Sequence, residues 1–147
     1  MNRNLTHALA VILLTLGLST ASRAEDVPYT EGPVVDMTYV KIKAGGFDAY
    51  MKFLATDWKA MNEALKKDGT ILSYRVVSST SLNRDDWDLM LVVEYKNYAA
   101  FDGLDAKSRA VMEKLAGSMA KVEEASTKRG EVREILGEKI GRELILK

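Results

Sequence analysis

The apolar and polar positions change period three times within residues 34–95. Along residues 34–43 the pattern of side chains has a period of two. This predicts a strand, because successive side chains of a strand point to opposite faces. Over 47–68 the apolar residues recur every three or four positions, as on one face of an amphipathic helix. Alternation returns over 70–78 and 87–95, and the polar segment between these stretches has no room for a helix. This part of the chain therefore predicts a strand, a helix and a β-hairpin.

The rest of the chain predicts a second helix and a last strand. Residues 98–101 read as a short helical turn, and an apolar stripe then predicts a main helix over about 104–126. Two glycines interrupt 127–138, although its apolar residues still permit a helix. Residues 142–147 have the pattern of a final short strand. The predicted order is β-α-β-β-α-β with extra helix before the last strand, and the predicted fold class is α+β.

The first 24 residues have the features of a cleavable signal peptide. Arg3 gives a positive start, 8–18 is an apolar run, and Ser22 and Ala24 are small residues before a predicted cut after Ala24. The run is shorter than the ~20 apolar residues that span a bilayer. We therefore expect a periplasmic or secreted protein in which residues 1–24 are removed and no stable membrane insertion follows.

The chain that remains after the predicted cleavage has the length of one domain of modest size and a nearly balanced charge. Residues 25–33 contain both prolines and read as an extended leader, which is followed by a single domain over 34–147. Loss of Arg3 and Arg23 reduces the 21 Lys and Arg to 19, against 21 Asp and Glu, so the net charge becomes about −2. Nucleic-acid-binding domains normally carry a clustered basic surface, so nucleic acid is not an expected partner.

The sequence after the predicted cut contains neither histidine nor cysteine. The single histidine, His7, lies in the predicted signal peptide, and the chain has no cysteine. Histidine acid-base catalysis, cysteine nucleophiles, the usual zinc sites and the usual histidine or cysteine ligands of haem iron are thereby excluded. Tyrosine-ligated haem and carboxylate-bound cations stay open, but the sequence has no motif for either. We expect no cofactor and no metal.

Several segments resemble the dimeric α/β-barrel superfamily of ferredoxin-like domains. The resemblance rests on YVKIKAGGFDAYMKFLATDWKAM, SYRVV, DDWDLMLVVEYKNYAAFD and the terminal RELIL, and it covers nearly the whole chain after the predicted cut. It implies a homodimer in which two four-stranded antiparallel sheets meet face to face, with the helices outside and a cavity within. The superfamily includes cofactor-free monooxygenases, polyketide cyclases, haem-handling enzymes and proteins without an assigned activity. Its haem-handling members typically rely on a histidine, and this sequence has none after the predicted cut.

The alternation also assigns side chains to the two faces of the predicted sheet. The apolar face of the third strand, with Trp87, Leu89 and Leu91, is expected to meet the helices. The opposite face is mixed in character, which suits a dimer interface that encloses a partly wet cavity. The polar and charged residues predicted on this second face are Tyr39, Lys41, Ser73, Arg75, Asp88 and Glu94.

These six residues form the predicted site for a small organic ligand or substrate. Arg75 is predicted to bind an anionic or carbonyl oxygen, while Tyr39 orients the molecule. Asp88 or Glu94, with a pKa raised by partial burial, is predicted to move a proton as the catalytic group. The residues assigned to substrate binding are Tyr39, Lys41, Ser73 and Arg75. The predicted function is an exported small-molecule-binding protein or cofactor-independent enzyme.

A structural interpretation of the same residues stays open. Arg75 with Asp88 or Glu94 is also the pattern of a cross-strand ion pair that helps to fix register, worth ~0.2–1 kcal/mol when exposed. The protein would then be a non-catalytic dimeric module with a packed interface. A register shift of one residue would move the whole set to the other face. A cavity of ~300 Å³ or more at this interface would favour ligand binding.

Overall fold

The computed structural model describes residues 27–147, so the predicted signal peptide over 1–24 lies outside the described residues. The elements follow the predicted order, with two additional breaks inside the helices. In chain order they are β1 (Tyr29–Ile42), α1 (Phe47–Phe53), a π-helical segment (Leu54–Trp58), α2 (Lys59–Lys67), β2 (Ser73–Ser78), β3 (Leu89–Tyr95), a 3-10 turn (Tyr98–Phe101), α3 (Leu104–Ala116), α4 (Met119–Val132) and β4 (Arg133–Leu146).

The four strands form one antiparallel sheet in the order β2-β3-β1-β4. β1 lies inside the sheet, between β3 and β4, and β2 completes the other edge. Apolar side chains from the helices pack against one face, where Tyr50 and Leu54 meet Val40, Leu89 and Leu91. The predicted class, α+β with helices on one face of a four-stranded antiparallel sheet, is confirmed.

β1 extends into the segment that we predicted as an extended leader. It begins at Tyr29, which pairs with Leu146 near the end of β4. The pairing register shifts between Glu31 and Val34, the interval that contains Pro33. Because proline has no N–H to donate to a strand ladder, it is found at such irregularities. The segment is therefore extended, as expected, but from Tyr29 onward it belongs to the sheet.

β4 spans Arg133–Leu146, and the expectation of a short strand over 142–147 was wrong. The register shifts where Tyr39 and Val40 pair with Gly137 and Ile135, which leaves Leu136 as an extra residue. An extra residue interrupts strict alternation of side chains, so the sequence pattern hid the first part of this strand. Backbone pairing with β1 maintains the strand through this irregularity.

The first predicted helix is present but contains a wider turn at its centre. α1, the π-helical segment and α2 follow one another without a gap, and Gly69 with φ of +78° follows the end of α2. π-helical turns are rare and occur frequently at functional sites. Here the turn places Thr56, Asp57 and Trp58 at the wall of a cavity.

Gly117 divides the second predicted helix into α3 and α4. Its φ of +85° lies in the left-handed region that favours glycine, and Ser118 then caps α4 by accepting a backbone hydrogen bond. The expectation of one unbroken helix over 104–126 was therefore wrong at this point. α4 instead continues to Val132 through Gly130, which a helix tolerates at a cost of about 1 kcal/mol.

Two clusters of buried side chains lie between the sheet and the helices. One contains Val40, Tyr50, Leu54, Leu89 and Leu91, and the other contains Val34, Leu65, Ile71 and Tyr95. Leu89 and Leu91 thus face the helices as predicted, which confirms the predicted alternation along β3.

Trp87 does not share the face of Leu89 and Leu91, so that part of the prediction was wrong. Its ring makes an edge contact with the ring of Tyr39, with centroids 5.9 Å apart. Tyr39 alternates with Val40 and therefore lies on the face of the sheet without helices. Trp87 precedes the first residue of β3, so strand alternation does not fix its direction.

Candidate functional site

A cavity of about 630 Å³ lies between the helix-facing side of the sheet and the helices. The π-helical segment, α3, α4 and the start of β4 all contribute to its wall. Much of this wall is apolar or aromatic, as illustrated by Phe53, Trp58, Met61, Met112, Val122 and Ala125. The cavity is therefore suited to a mainly apolar molecule.

Two arginines bring positive charge to this wall. Arg129 comes from the last turn of α4, and Arg133 is the first residue of β4. Arg129 lies over the ring of Phe53, with its guanidinium carbon 4.4 Å from the ring centroid, and Arg133 lies over Tyr50 at 5.5 Å. Cation–π contacts of this kind hold the guanidinium planes against aromatic walls.

The Nε atoms of both arginines are buried and have no hydrogen-bond partner. Among the residues that the structure describes, neither guanidinium forms an ion pair with a carboxylate. Burial, and then the neighbouring charge of Arg133, lower the pKa of Arg129 from its ordinary value. Buried polar groups in native proteins usually have partners, so this arrangement leaves two cationic donors available to a ligand.

The six residues of the predicted site lie on the other side of the sheet, which we call the open face, and none of them lines the 630 Å³ cavity. The structure brings them into two groups. Lys41 pairs with Asp88, with Nζ to Oδ1 at 3.1 Å, and Glu94 accepts hydrogen bonds from Ser73 and Arg75.

Tyr39 lies apart from both ion-paired groups. It borders a shallow depression of about 430 Å³ on the open face, together with Trp87, Leu136 and Lys139. All six residues thus lie on the predicted face of the sheet. Their role in binding or catalysis, and the cavity between two sheets, stay predictions.

The pKa values of Asp88 and Glu94 are lowered, whereas we predicted that they would be raised. Burial raises the pKa of Asp88, but hydrogen bonds from Ser81, from the Ile42 N–H and from Lys41 together bring it below its ordinary value. Hydrogen bonds from Ser73 and then Arg75 lower the pKa of Glu94. The expectation of a raised pKa was wrong, because each carboxylate is hydrogen-bonded in its charged form. These contacts favour the ion-pair interpretation of the open face.

A carboxyl group with a raised pKa lies on the helix-facing side instead. Asp36 of β1 is half-buried, and burial followed by the negative charge of Glu138 raises its pKa. Glu138 itself lines the 630 Å³ cavity. The raised carboxyl pKa that we predicted for the open face thus occurs on the helix-facing side of the sheet.

Comparison with solved structures identifies the architecture. The structure of HapK from Hahella chejuensis aligns with a TM-score of 0.50 at 14% sequence identity, over 75% of this chain and 91% of that chain. A dimeric ferredoxin-like protein from an uncultured marine organism aligns with a TM-score of 0.48 at 13% identity, over 78% of this chain and 95% of that chain. The chain has a ferredoxin-like fold. No protein-family model matches the sequence, and no curated protein matches it significantly.

The ferredoxin-like fold places Arg129 and Arg133 together at a junction that the sequence pattern did not define. Both residues fall within 127–138, where two glycines obscured the end of a helix and the start of a strand. The available signal was the spacing of four between two arginines beside apolar Val132 and Ile135. Without the position of the junction, that spacing does not indicate which side of the sheet the arginines face.

Two other features of the ferredoxin-like domain concern metals and membranes. Across residues 27–147, no group of three or more histidine, cysteine or acidic side chains is placed to hold a metal ion. Within the same described range, no helix has the length and apolar character needed to cross a bilayer.

Proposed function

We propose that the protein binds a small, mainly apolar organic molecule in the cavity between its sheet and its helices. The observation that carries this proposal is the 630 Å³ volume with a largely apolar wall and a few convergent charged groups. Ligand sites of proteins are typically concave, largely apolar and about 300–1,000 Å³ in volume. The site that we predicted on the open face has a smaller and shallower depression.

The local backbone supports the same location. The π-helical segment brings Thr56 and Asp57 to the cavity wall beside Trp58, and the break at Gly117 lets α3 and α4 contribute from different directions. A regular helix would place these side chains differently, since a π turn changes the angular position of the residues that follow it. Two irregular turns therefore border the same cavity.

Ala125→Phe should weaken the binding of a neutral apolar probe by reducing the space in the cavity. Ala125 lines the cavity from α4, and phenylalanine adds a ring where the wall now has a methyl group. We expect the dissociation constant of N-phenyl-1-naphthylamine, measured by its fluorescence, to rise by at least about tenfold, which corresponds to ~1.4 kcal/mol.

The matched control is Ala120→Phe on the exposed side of the same helix, which should leave the affinity nearly unchanged. Circular dichroism and thermal melting establish that both variants fold. Equal affinity of Ala125→Phe and the unmodified protein for the probe would contradict the proposal.

We also propose that the open face meets the open face of a second copy in a homodimer. Met37, Val77 and Met90 are partly exposed on this face, and no helix within residues 27–147 covers it. An apolar sheet face is normally covered, and a second copy supplies a matching surface. The Lys41–Asp88 and Arg75–Glu94 pairs neutralise four of the charges on this face, which lowers the electrostatic cost of bringing two copies together.

Met90→Glu should shift the protein from dimer to monomer. Two copies of the open face would bring unpaired carboxylates into their interface, and burial of unpaired charge is unfavourable. We expect size-exclusion chromatography with light scattering to show twice the mass of one chain for the unmodified protein. The dissociation constant of the variant dimer should be at least about tenfold higher than that of the unmodified dimer.

Leu115→Glu is the matched control for dimerisation, because Leu115 is exposed on α3 at the opposite side of the sheet. It should retain the dimer. A monomeric unmodified protein at micromolar concentration would refute the proposed dimer and leave the ligand cavity, which one chain builds alone, unaffected.

Export to the periplasm or beyond the cell is proposed from the sequence of residues 1–24. The intact mass of protein isolated from its native compartment tests this proposal. A chain that begins at Glu25 would support it, and a chain that retains residues 1–24 would contradict it.

A further inference from the structure

We propose that Arg129 and Arg133 bind the negatively charged group of the ligand, so that the ligand is an organic monoanion with an apolar body. This inference rests on the proposed binding function of the 630 Å³ cavity and assigns the chemical class of its occupant. The charged group is an oxyanion such as a carboxylate or sulfonate, which matches the planar donor geometry of guanidinium.

The two guanidinium groups at the cavity wall lack partners for their buried donors. Each has a buried Nε donor without a hydrogen-bond partner. A buried donor without a partner destabilises a protein, and the effect is larger when the group is charged. An oxyanion in the cavity beside Arg129 and Arg133 would supply acceptors to their guanidinium groups and offset the repulsion between the two charges.

Aromatic neighbours hold the guanidinium groups of both arginines in place. Phe53 lies against the guanidinium of Arg129, and Tyr50 lies against that of Arg133. A guanidinium that contacts an aromatic ring on one side keeps N–H groups on its other sides for a ligand. The aromatic contacts thus position the guanidinium groups and use none of their hydrogen bonds. This reduces the side-chain entropy that is lost when a ligand binds.

The charges on the cavity wall do not balance. Lys121, Arg129 and Arg133 contribute three positive charges, and Asp57 and Glu138 contribute two negative charges. The wall therefore has one excess positive charge at neutral pH. A monoanion neutralises it, while the apolar remainder of the wall favours a carbon-rich body.

The test compares two fluorescent probes with the same ring skeleton, 1-anilinonaphthalene-8-sulfonate and neutral N-phenyl-1-naphthylamine. Arg129→Gln and Arg133→Gln should each weaken the sulfonate probe by roughly tenfold, since a charge-assisted hydrogen bond is lost. Neither substitution should change the affinity for the neutral probe by more than about twofold, which lies below the roughly tenfold effect assigned to the charged contact. Arg129→Lys and Arg133→Lys, which keep the charge, should recover part of the sulfonate affinity.

Arg109→Gln is the matched control, because Arg109 is exposed on α3 outside the cavity wall and its loss should leave both affinities unchanged. Unchanged sulfonate affinity in the Arg129 and Arg133 variants would overturn the inference. Equal weakening of both probes would also overturn it, because the arginines would then only shape the cavity. If Ala125→Phe leaves the binding of both probes intact, the proposed binding function itself fails.

Discussion

Replacement of Leu89 by alanine is expected to lower the free energy of unfolding by about 2–5 kcal/mol. Leu89 is 2% exposed and packs with Val40, Tyr50, Leu54 and Leu91 where the sheet meets the first helix. The substitution removes apolar contacts and leaves a void that the surrounding side chains fill only in part. Urea unfolding followed by circular dichroism measures the change.

Leu82→Ala is the matched control for this prediction. Leu82 is 91% exposed in the segment between β2 and β3, so the same chemical change should alter the free energy of unfolding by less than about 0.5 kcal/mol. Similar effects at Leu89 and Leu82 would show that the helix-facing side of β3 is assigned incorrectly.

Stability is expected to fall by about 2–3 kcal/mol between pH 10 and pH 12 because of Tyr95 alone. Burial, and then the negative charge of Asp36, raise the pKa of Tyr95 from 10.0 to about 12. Below pH 10 the phenol is protonated in both the folded and the unfolded chain. Between these two pKa values the unfolded chain loses its proton while the folded chain keeps it, so rising pH favours unfolding.

Tyr95→Phe should remove this component of the pH dependence, since phenylalanine has no proton to lose. Urea unfolding at pH 9 and pH 12 measures the difference, and Tyr98→Phe is the control because Tyr98 is 52% exposed. A stability loss in the Tyr95→Phe protein as steep as that of the unmodified protein would contradict the assignment.

The alternation of residues within the hairpin was sufficient to predict the two faces of β2 and β3. Leu89 and Leu91 alternate with Met90 and Val92, and the observed register keeps the two sets apart. The six residues of the predicted site consequently lie on the expected face. Alternation reports the face of a residue but not whether a cavity lies above that face, because cavity volume depends on how several elements meet.

The charged wall of the cavity was not predictable, for local physical reasons. Its arginines flank the junction of α4 and β4, and Gly130 beside this junction resembled a helix stop in the sequence. The helix breaks instead at Gly117, whose backbone is left-handed. The composition of the segment does not predict this backbone conformation. The resemblance to dimeric barrels implied a cavity at the open face, whereas a single chain forms the larger cavity on the other side of the sheet.

The central claim, that ligand occupies the cavity between sheet and helices, is tested most directly by NMR. Titration of the ¹⁵N-labelled protein with N-phenyl-1-naphthylamine should shift backbone amide signals mainly at the cavity wall, including Ala60, Met112 and Ala125. Shifts centred on Val77 and Met90 of the open face, with the cavity signals unmoved, would contradict the account.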